Sequence, residues 1–528
     1  MKNFILTSLT FYVFTVAILL SANAVIYAAE NNELNESNQP NVLFIMVDEM
    51  RADALGCATE KSVYQTPALD RLASEGTRFA QTYTVAAVCV SSRYSFFTSR
   101  YSHVHGATHN DTSIRTAQIL FPGIMKHLGY QTAISGKLHF HPQNQDYDFD
   151  YFWSFSNEGP KKLETWPQYL TAKHGNIVRQ AKEKPFPNDP LGGDLGKLSY
   201  PKEDTQSFWI TDRAIEFFNI RDKSKPFFLF VSYLEPHSPS HLAEPYWSQY
   251  EEKRKNVELS PTFVPGKESV TGNTGAGNSG NNVSSRKRHW VSDSEIAKAM
   301  TAAYHVKVKH VDDCIERLLD GLKKAGLEKD TLIVFTSDHG NMLGDHNRWF
   351  KGVPYEGSTR IPLIIKVPQH SSFAETFNHG KIVQELVESI DVMPTILDLI
   401  GKPLPTDPGF QGKSLTQLVA GKATDWKNLV FSERTGIFVR SGKYKLIQND
   451  PALGGKYELY DLEVDPRETK DLSNDPALQT VIENLKQKLD SWQKDDPAVP
   501  NYPGLEPKFA PEKQEPKNNQ RRQRQANR

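Results

Sequence analysis

The 528-residue chain holds only three cysteines, Cys57, Cys89 and Cys314. That is too few for a disulfide framework, and at least one thiol must be unpaired or chemically changed. An excess of either charge is also missing: 62 Lys and Arg face 63 Asp and Glu, a net of -1. A nucleic-acid partner is therefore not expected, because such binders carry a basic surplus. No internal repeat is evident, and a long apolar run occurs in one place only. After Lys2 the chain is almost uncharged from Phe4 to Leu20 and reaches small residues at Ala22-Asn23-Ala24 and Ala28-Ala29. This is the layout of a secretory signal, so residues 1–29 are set aside from the fold. A secreted or periplasmic location follows as an expectation, with no stable membrane insertion once the signal is cleaved.

What is present is an alternation of short apolar runs and helical patterns, long enough for one large core and a smaller second domain. Val42–Val47, Thr132–Ser135, Phe227–Tyr233, Leu332–Thr336 and Leu363–Val367 read as buried parallel strands. The clearest helix spans Ser294 to Ala325, with Val311, Ile315, Leu318 and Leu322 on one face and Gly326 ending it. Cys314, beside that face, reads as a small core residue. Such an alternation predicts α/β layers, in which ligands sit beyond the carboxyl ends of the strands. Polar residues stand at those ends: Asp48, Lys137, His237, and Asp338 with His339. The Gly, Asn and Ser of residues 256–288 read as a flexible surface insertion. From 494 to 528 the composition turns to that of a disordered basic tail ending in Arg521-Arg522-Gln523-Arg524.

The most informative stretch is Cys89-Val90-Ser91-Ser92-Arg93, running on through Thr98-Ser99-Arg100-Tyr101. It closely resembles the signature of the sulfatases, a Cys, any residue, Pro, Ser and Arg, continuing into a Thr-Gly-Arg-Tyr type of segment. Here Ser91 stands where the Pro is usual. The resemblance implies that Cys89 is oxidised to formylglycine by a formylglycine-generating enzyme. The hydrated aldehyde then offers one hydroxyl to attack sulfur and a second to expel sulfate. The position suits that chemistry, since backbone amides and the helix dipole stabilise negative charge where a helix opens.

Two further groups resemble sulfatase segments. Asn41 to Glu49 resembles an opening strand that ends in two Asp residues, with Glu49 as the second, and Thr336 to His346 resembles the second metal segment. The resemblance implies one divalent cation held by Asp48, Glu49, Asp338 and His339 beside Cys89. Carboxylate oxygens suit a hard ion, and calcium is the one implied. The imidazole and the longer Glu49 leave manganese, magnesium or zinc open. Gly136-Lys137-Leu138-His139, Glu235-Pro236-His237 and Phe350-Lys351-Gly352 match segments that bind sulfate and move protons. With Arg93 they would stabilise charge on the sulfuryl group and the leaving oxygen. His237 is the expected general acid and His139 the base. His141, His346, Arg348 and His109 lie near these motifs and are candidates for touching substrate.

Tyr444-Lys445-Leu446-Ile447 and Glu458 to Thr469 resemble the small antiparallel sheet that closes sulfatases. The expected architecture is an alkaline-phosphatase-like α/β sandwich with a mainly parallel central sheet. Residues 30–400 would form the catalytic domain and 401–493 a smaller α+β subdomain. The expected activity is hydrolysis of sulfate esters, on a sulfated polysaccharide or oligosaccharide given the exported location. Two other functions fit the same residues. One is a phosphonate or phosphate ester hydrolase of the same superfamily, where a His after the metal Asp is also seen. The other is a sulfated-glycan binding protein that has lost the nucleophile.

Overall fold

The structure, a computed structural model, describes residues 39–509 except residue 61 and the segments 157–158, 161–162, 176–184, 186–192, 268–292, 406–408, 451–454 and 501. The signal expected at 1–29, most of the 256–288 insertion and the Arg521–Arg524 run lie outside the described residues. The described residues from Val42 onward form one compact unit.

The strands are β1 Asn41–Asp48, β2 Thr77–Tyr83, β3 Gln131–Gly136, β4 Tyr151–Ser154, β5 Leu195–Lys197, β6 Phe227–Pro236, β7 Ser240–Leu242, β8 Thr331–Ser337, β9 Arg360–Ile361, β10 Leu363–Lys366, β11 Lys381–Glu388, β12 Leu429–Arg434, β13 Gly436–Ser441, β14 Tyr444–Asn449 and β15 Tyr457–Asp461. Nine of them form the central sheet in the order β11-β2-β10-β8-β1-β6-β3-β4, with β9 beside β2. β1, β6, β3 and β4 run parallel, so their carboxyl ends share one edge. Side chains alternate across the sheet as the pleat requires. Val42, Phe44, Met46, Phe228 and Phe230 enter one apolar cluster, and Leu43, Ile45, Val47, Leu229 and Val231 the other. Both faces are covered, which is why these strands read as continuous apolar runs.

One expectation fails here. Leu363–Val367 was expected to be parallel, but β10 pairs antiparallel with both β8 and β2. A strand buried on both faces has the same composition in either direction, and only the path of the preceding loop decides its sense.

Four helices matter for the site and its support: α1 Cys89–Thr98, α2 Gln206–Ile220, α3 Ser294–Lys324 and α4 Gln479–Gln493. The long α3 matches its sequence signals. Asp293 accepts hydrogen bonds from Glu295 N and Ile296 N, and Gly326 takes the left-handed φ of 74° that ends the helix. Cys314 is buried in the apolar cluster that α3 shares with the sheet.

The C-terminal strands form a four-stranded antiparallel sheet in the order β12-β13-β14-β15. One face, with Phe431, Val439, Leu446 and Leu459, packs on Ile482, Leu485, Leu489 and Trp492 of α4. The other, with Val430, Phe438, Ile447 and Tyr460, packs on Tyr83, Met342 and Val353 of the main body. Beyond α4 the chain does not trail away at 494, as its composition suggested. Tyr502 is buried, Lys508 exchanges backbone hydrogen bonds with Gln118, and Arg115 pairs with Asp496 at 3.0 Å. The polar composition misled because a few apolar residues, Tyr502, Leu505 and Phe509, are enough to pack the segment on the main core.

Candidate active site at the carboxyl ends of the strands

Cys89 is the first residue of α1, a helix whose ten residues are all buried. Among the first-turn amides, Val90 N donates to Asn110 Oδ1 at 3.2 Å, and the first helical bond runs from Ser92 N to Val88 O. Ser91 therefore stands where an N–H has no helical acceptor, so replacing the usual Pro does not change the helical hydrogen bonding. Ser92 Oγ donates to Asp338 O at 2.6 Å, tying this turn to the end of β8.

The thiol of Cys89 faces a ring of charge. Lys351 Nζ donates to Sγ at 3.1 Å, His339 Nε2 lies 3.2 Å away and Asp48 Oδ1 3.8 Å. Lys137 Nζ donates to Asp48 Oδ2 at 2.5 Å. Burial opposes ionisation of Cys89, but Lys137, Lys351 and His339, with a hydrogen bond from His139, outweigh it and hold the thiol well below its usual pKa. Burial pushes Cys57 up to about 11, and raises Cys314 as well. Of the three thiols, only Cys89 sits in an activating field.

Asp48 is fully buried. Burial and Cys89 would raise its pKa, yet Lys137, His237 and Lys351 hold it far below the carboxylate range. Burial likewise opposes protonation of His339, but Asp338 and Cys89 push it up to about 9. Asp338 Oδ1 accepts from Glu49 N and His339 N, at 3.1 and 2.9 Å. Arg93 is tied to the carboxylates and to the backbone: its Nε donates to Asp338 Oδ2 at 2.9 Å, and NH1 to Lys137 O and Ser232 Oγ, so it braces the carboxylates.

A divalent ion fits this donor set. One donor atom each from Asp48, Cys89, Asp338 and His339 lies within 4.8 Å of the others. That span suits ligands on opposite sides of an ion at about 2.0–2.5 Å. His339 Nδ1 is engaged by Gly340 O at 3.0 Å, which leaves Nε2 turned to the gap, where it would give up its proton on binding an ion. Glu49 is not brought into this set. It follows Asp48 with φ 74°, and its carboxylate groups instead with Asp48 and His237, Oε2 lying 3.7 Å from His237 Nε2. Both Glu49 carboxylate oxygens are buried without a hydrogen-bond partner among the described residues.

The outer candidates divide. His141 Nε2 bonds to Asn110 O at 2.7 Å, and its ring centre lies 6.2 Å from that of His139. His109 is exposed, one residue from the Asn110 that holds the amide of Val90. His346 and Arg348 both meet Tyr355, the first stacking on its ring at 4.7 Å and the second lying over it at 5.4 Å. His346 lines a separate cavity with Arg51, Asp53, Arg360 and Arg467.

Lys307 was missed in the sequence. Buried on α3, its Nζ donates to His237 O and to Pro239 O, the latter at 3.0 Å, holding the segment that carries His237. Burial brings it down to about 8, against the pull of Glu235 and Glu49. Its signal was a lysine four residues before Val311 on the apolar stripe.

An activated residue opening a helix, between lysines and carboxylates at the edge of this sheet, defines a hydrolase of the alkaline-phosphatase-like class. The sulfatase family model matches residues 40–402, and the chain belongs to that family of sulfuric ester hydrolases. A second model, described as N-sulphoglucosamine sulphohydrolase, C-terminal, matches residues 344–495. An arylsulfatase of Clostridium perfringens is 29% identical over 85% of this chain and 94% of its own. An N-acetylglucosamine-6-O-sulfatase of Bacteroides thetaiotaomicron is 28% identical over 88% of each chain. A phosphonate monoester hydrolase of Silicibacter pomeroyi, 24% identical, shares the fold with a TM-score of 0.69 over 86% of this chain and 95% of its own. Among the described residues no helix is long and apolar enough to cross a membrane.

Proposed function

We propose that this chain is an exported sulfatase that removes sulfate from a sulfated polysaccharide or oligosaccharide, through a formylglycine made from Cys89 by a formylglycine-generating enzyme. The observation that carries this reading is the approach of Lys351, His339 and Asp48 to one thiol at the opening of α1. The sugar-sulfate relative supports the substrate class.

Asp48, residue 89, Asp338 and His339 would hold one divalent metal, with calcium first and manganese, magnesium or zinc as the alternatives. Bound there, the ion would lower the pKa of the hydroxyl it touches and draw charge from the sulfuryl oxygens. Lys137 and Lys351 neutralise those oxygens, while Arg93 pairs with Asp48 and Asp338 and holds them in place. One hydroxyl of the formylglycine hydrate attacks sulfur, the bond from sulfur to the alcohol oxygen breaks, and His237 protonates that oxygen. His139 then takes the proton of the second hydroxyl. The carbon–oxygen bond to the sulfuryl group breaks, sulfate leaves and the aldehyde returns.

A phosphonate or phosphate ester hydrolase is the second reading, favoured by the His339 imidazole and by Glu49 standing outside the donor set. Rates on matched aryl sulfate and aryl phosphate esters separate the two. Faster sulfate cleavage by the formylglycine form supports the sulfatase, and a preference for phosphorus overturns it.

A further inference from the structure

β12 ends at Arg434, and its neighbours are pinned to both sides of the candidate active site. On one side Glu433 N donates to Val85 O at 3.0 Å, and Ala86 forms a β-bridge with Glu433, three residues before Cys89. The Glu433 carboxylate accepts from Ser102 Oγ and His103 N, at 2.7 and 2.8 Å. On the other side Thr435 donates from N and Oγ1 to Gly352 O, the carbonyl that follows Lys351. Arg434 is thus held between the segment that delivers Cys89 and the segment that delivers Lys351.

Its side chain is not satisfied there. The guanidinium is half-buried, its Nε is fully enclosed without a hydrogen-bond partner, and it makes no ion pair within 4.0 Å among the described residues. The negative charges that act on it belong to Asp111 and Asp450, and burial outweighs both, drawing its pKa below the usual value. Asp111 follows Asn110, whose Oδ1 accepts Val90 N and whose carbonyl meets His141. The loop facing Arg434 therefore runs across the first turn of α1. His109 stands on the same loop and feels the Arg434 charge.

A half-buried cation loses part of its hydration, and a guanidinium offers five donors in a planar fork that fits an oxyanion. We infer that Arg434 is a specificity residue that binds a second anionic group of the substrate, a uronate carboxylate or a further sulfate ester, next to the sulfate being cleaved. This rests on the proposed sulfatase function. The contact is to a group that does not react, so its value is realised in recognition: a polyanionic glycan gains over a singly sulfated sugar.

The test uses the full chain carrying formylglycine, as wild type, Arg434→Ala and Arg434→Lys, with folding checked by thermal melting. The probes are nitrophenyl sulfate, a monosulfated glucosamine, the same sugar carrying two sulfates, and a sulfated disaccharide with and without a uronate. Arg434→Ala should lower kcat/KM on the doubly anionic member of a pair about 10- to 100-fold more than on its singly anionic mate, the usual weight of a charge-assisted hydrogen bond. The loss should fall chiefly in KM, and Arg434→Lys, which keeps charge without the fork, should fall between. A loss confined to the disulfated pair assigns a sulfate, and one confined to the uronate pair assigns a carboxylate. Equal losses within every pair, or none, overturn the Arg434 assignment while leaving the sulfatase standing. A wild-type enzyme that carries formylglycine yet cleaves none of these sulfates overturns the proposed function itself.

Discussion

His339 points Nε2 at Cys89 Sγ, 3.2 Å away, because its Nδ1 is engaged by Gly340 O at 3.0 Å. With one ring nitrogen fixed by the backbone, the other is committed to the space between Cys89, Asp48 and Asp338. A ring held in this way is preorganised as a ligand, since the backbone carbonyl fixes its orientation.

The first prediction concerns residue 89 itself. Peptide mass spectrometry of protein made with a maturing enzyme should show sulfur lost from that residue, and activity should track the converted fraction. Ser91 should not prevent conversion through any effect on the helix, because its amide has no helical acceptor. A fully active preparation carrying only the unmodified thiol would refute the assignment.

Metal dependence gives the second. Asp48→Ala and Asp338→Ala should each lose bound metal and at least two orders of magnitude in turnover, about the size of one lost electrostatic stabiliser. Glu49→Gln should keep more metal than either, because its carboxylate lies outside the four-donor group. Metal analysis of the purified variants decides this, and full activity after exhaustive chelation would contradict it.

His237 should matter most when the alcohol is a poor leaving group. Proton delivery then offsets charge on the departing oxygen, an effect of about two to four orders of magnitude. His237→Ala should therefore slow a sugar sulfate far more than nitrophenyl sulfate. Lys137→Ala and Lys351→Ala should slow both. Equal slowing of both esters by His237→Ala would make it another sulfate-binding cation.

The seam between the two sheets yields a stability test. Lys445, fully buried, pairs with Glu356 at 2.9 Å and Glu468 at 2.8 Å. Lys445→Met would strand two buried carboxylates and cost about 3–5 kcal/mol in denaturant unfolding. Burial chiefly, with help from Glu356, already pushes Glu468 up to about 7 against the pull of Lys445. A carboxyl raised above its unfolded value adds stability below about pH 4.5 that fades as pH climbs towards 7. Lys445 helps hold Glu356 below its usual value, so losing the lysine raises both carboxyls, and the deficit of the variant should grow with rising pH. A deficit that shrinks with rising pH would show that the seam is held otherwise.

The residues of the candidate site were legible in the chain because they sit at fixed places in local structure. Asp48, Lys137, His237 and Asp338 each follow an apolar run, and Cys89 opens a helix whose signature is contiguous. Burial on both faces made the central strands visible, and Asp293 and Gly326 marked the ends of α3. Direction and distance were not written there. His346 and Arg348 meet Tyr355 only a few residues on, but the sense of β10, the grouping of Glu49 with His237 and the pairing of Arg93 with Asp338 depend on segments far off in the chain. So does the place of Arg434, which looks like an ordinary charged strand end until two backbone hydrogen bonds bring it to the rim of the site. Composition reports whether a residue is buried or polar. Which partner it meets follows only when the sheet order sets segments side by side.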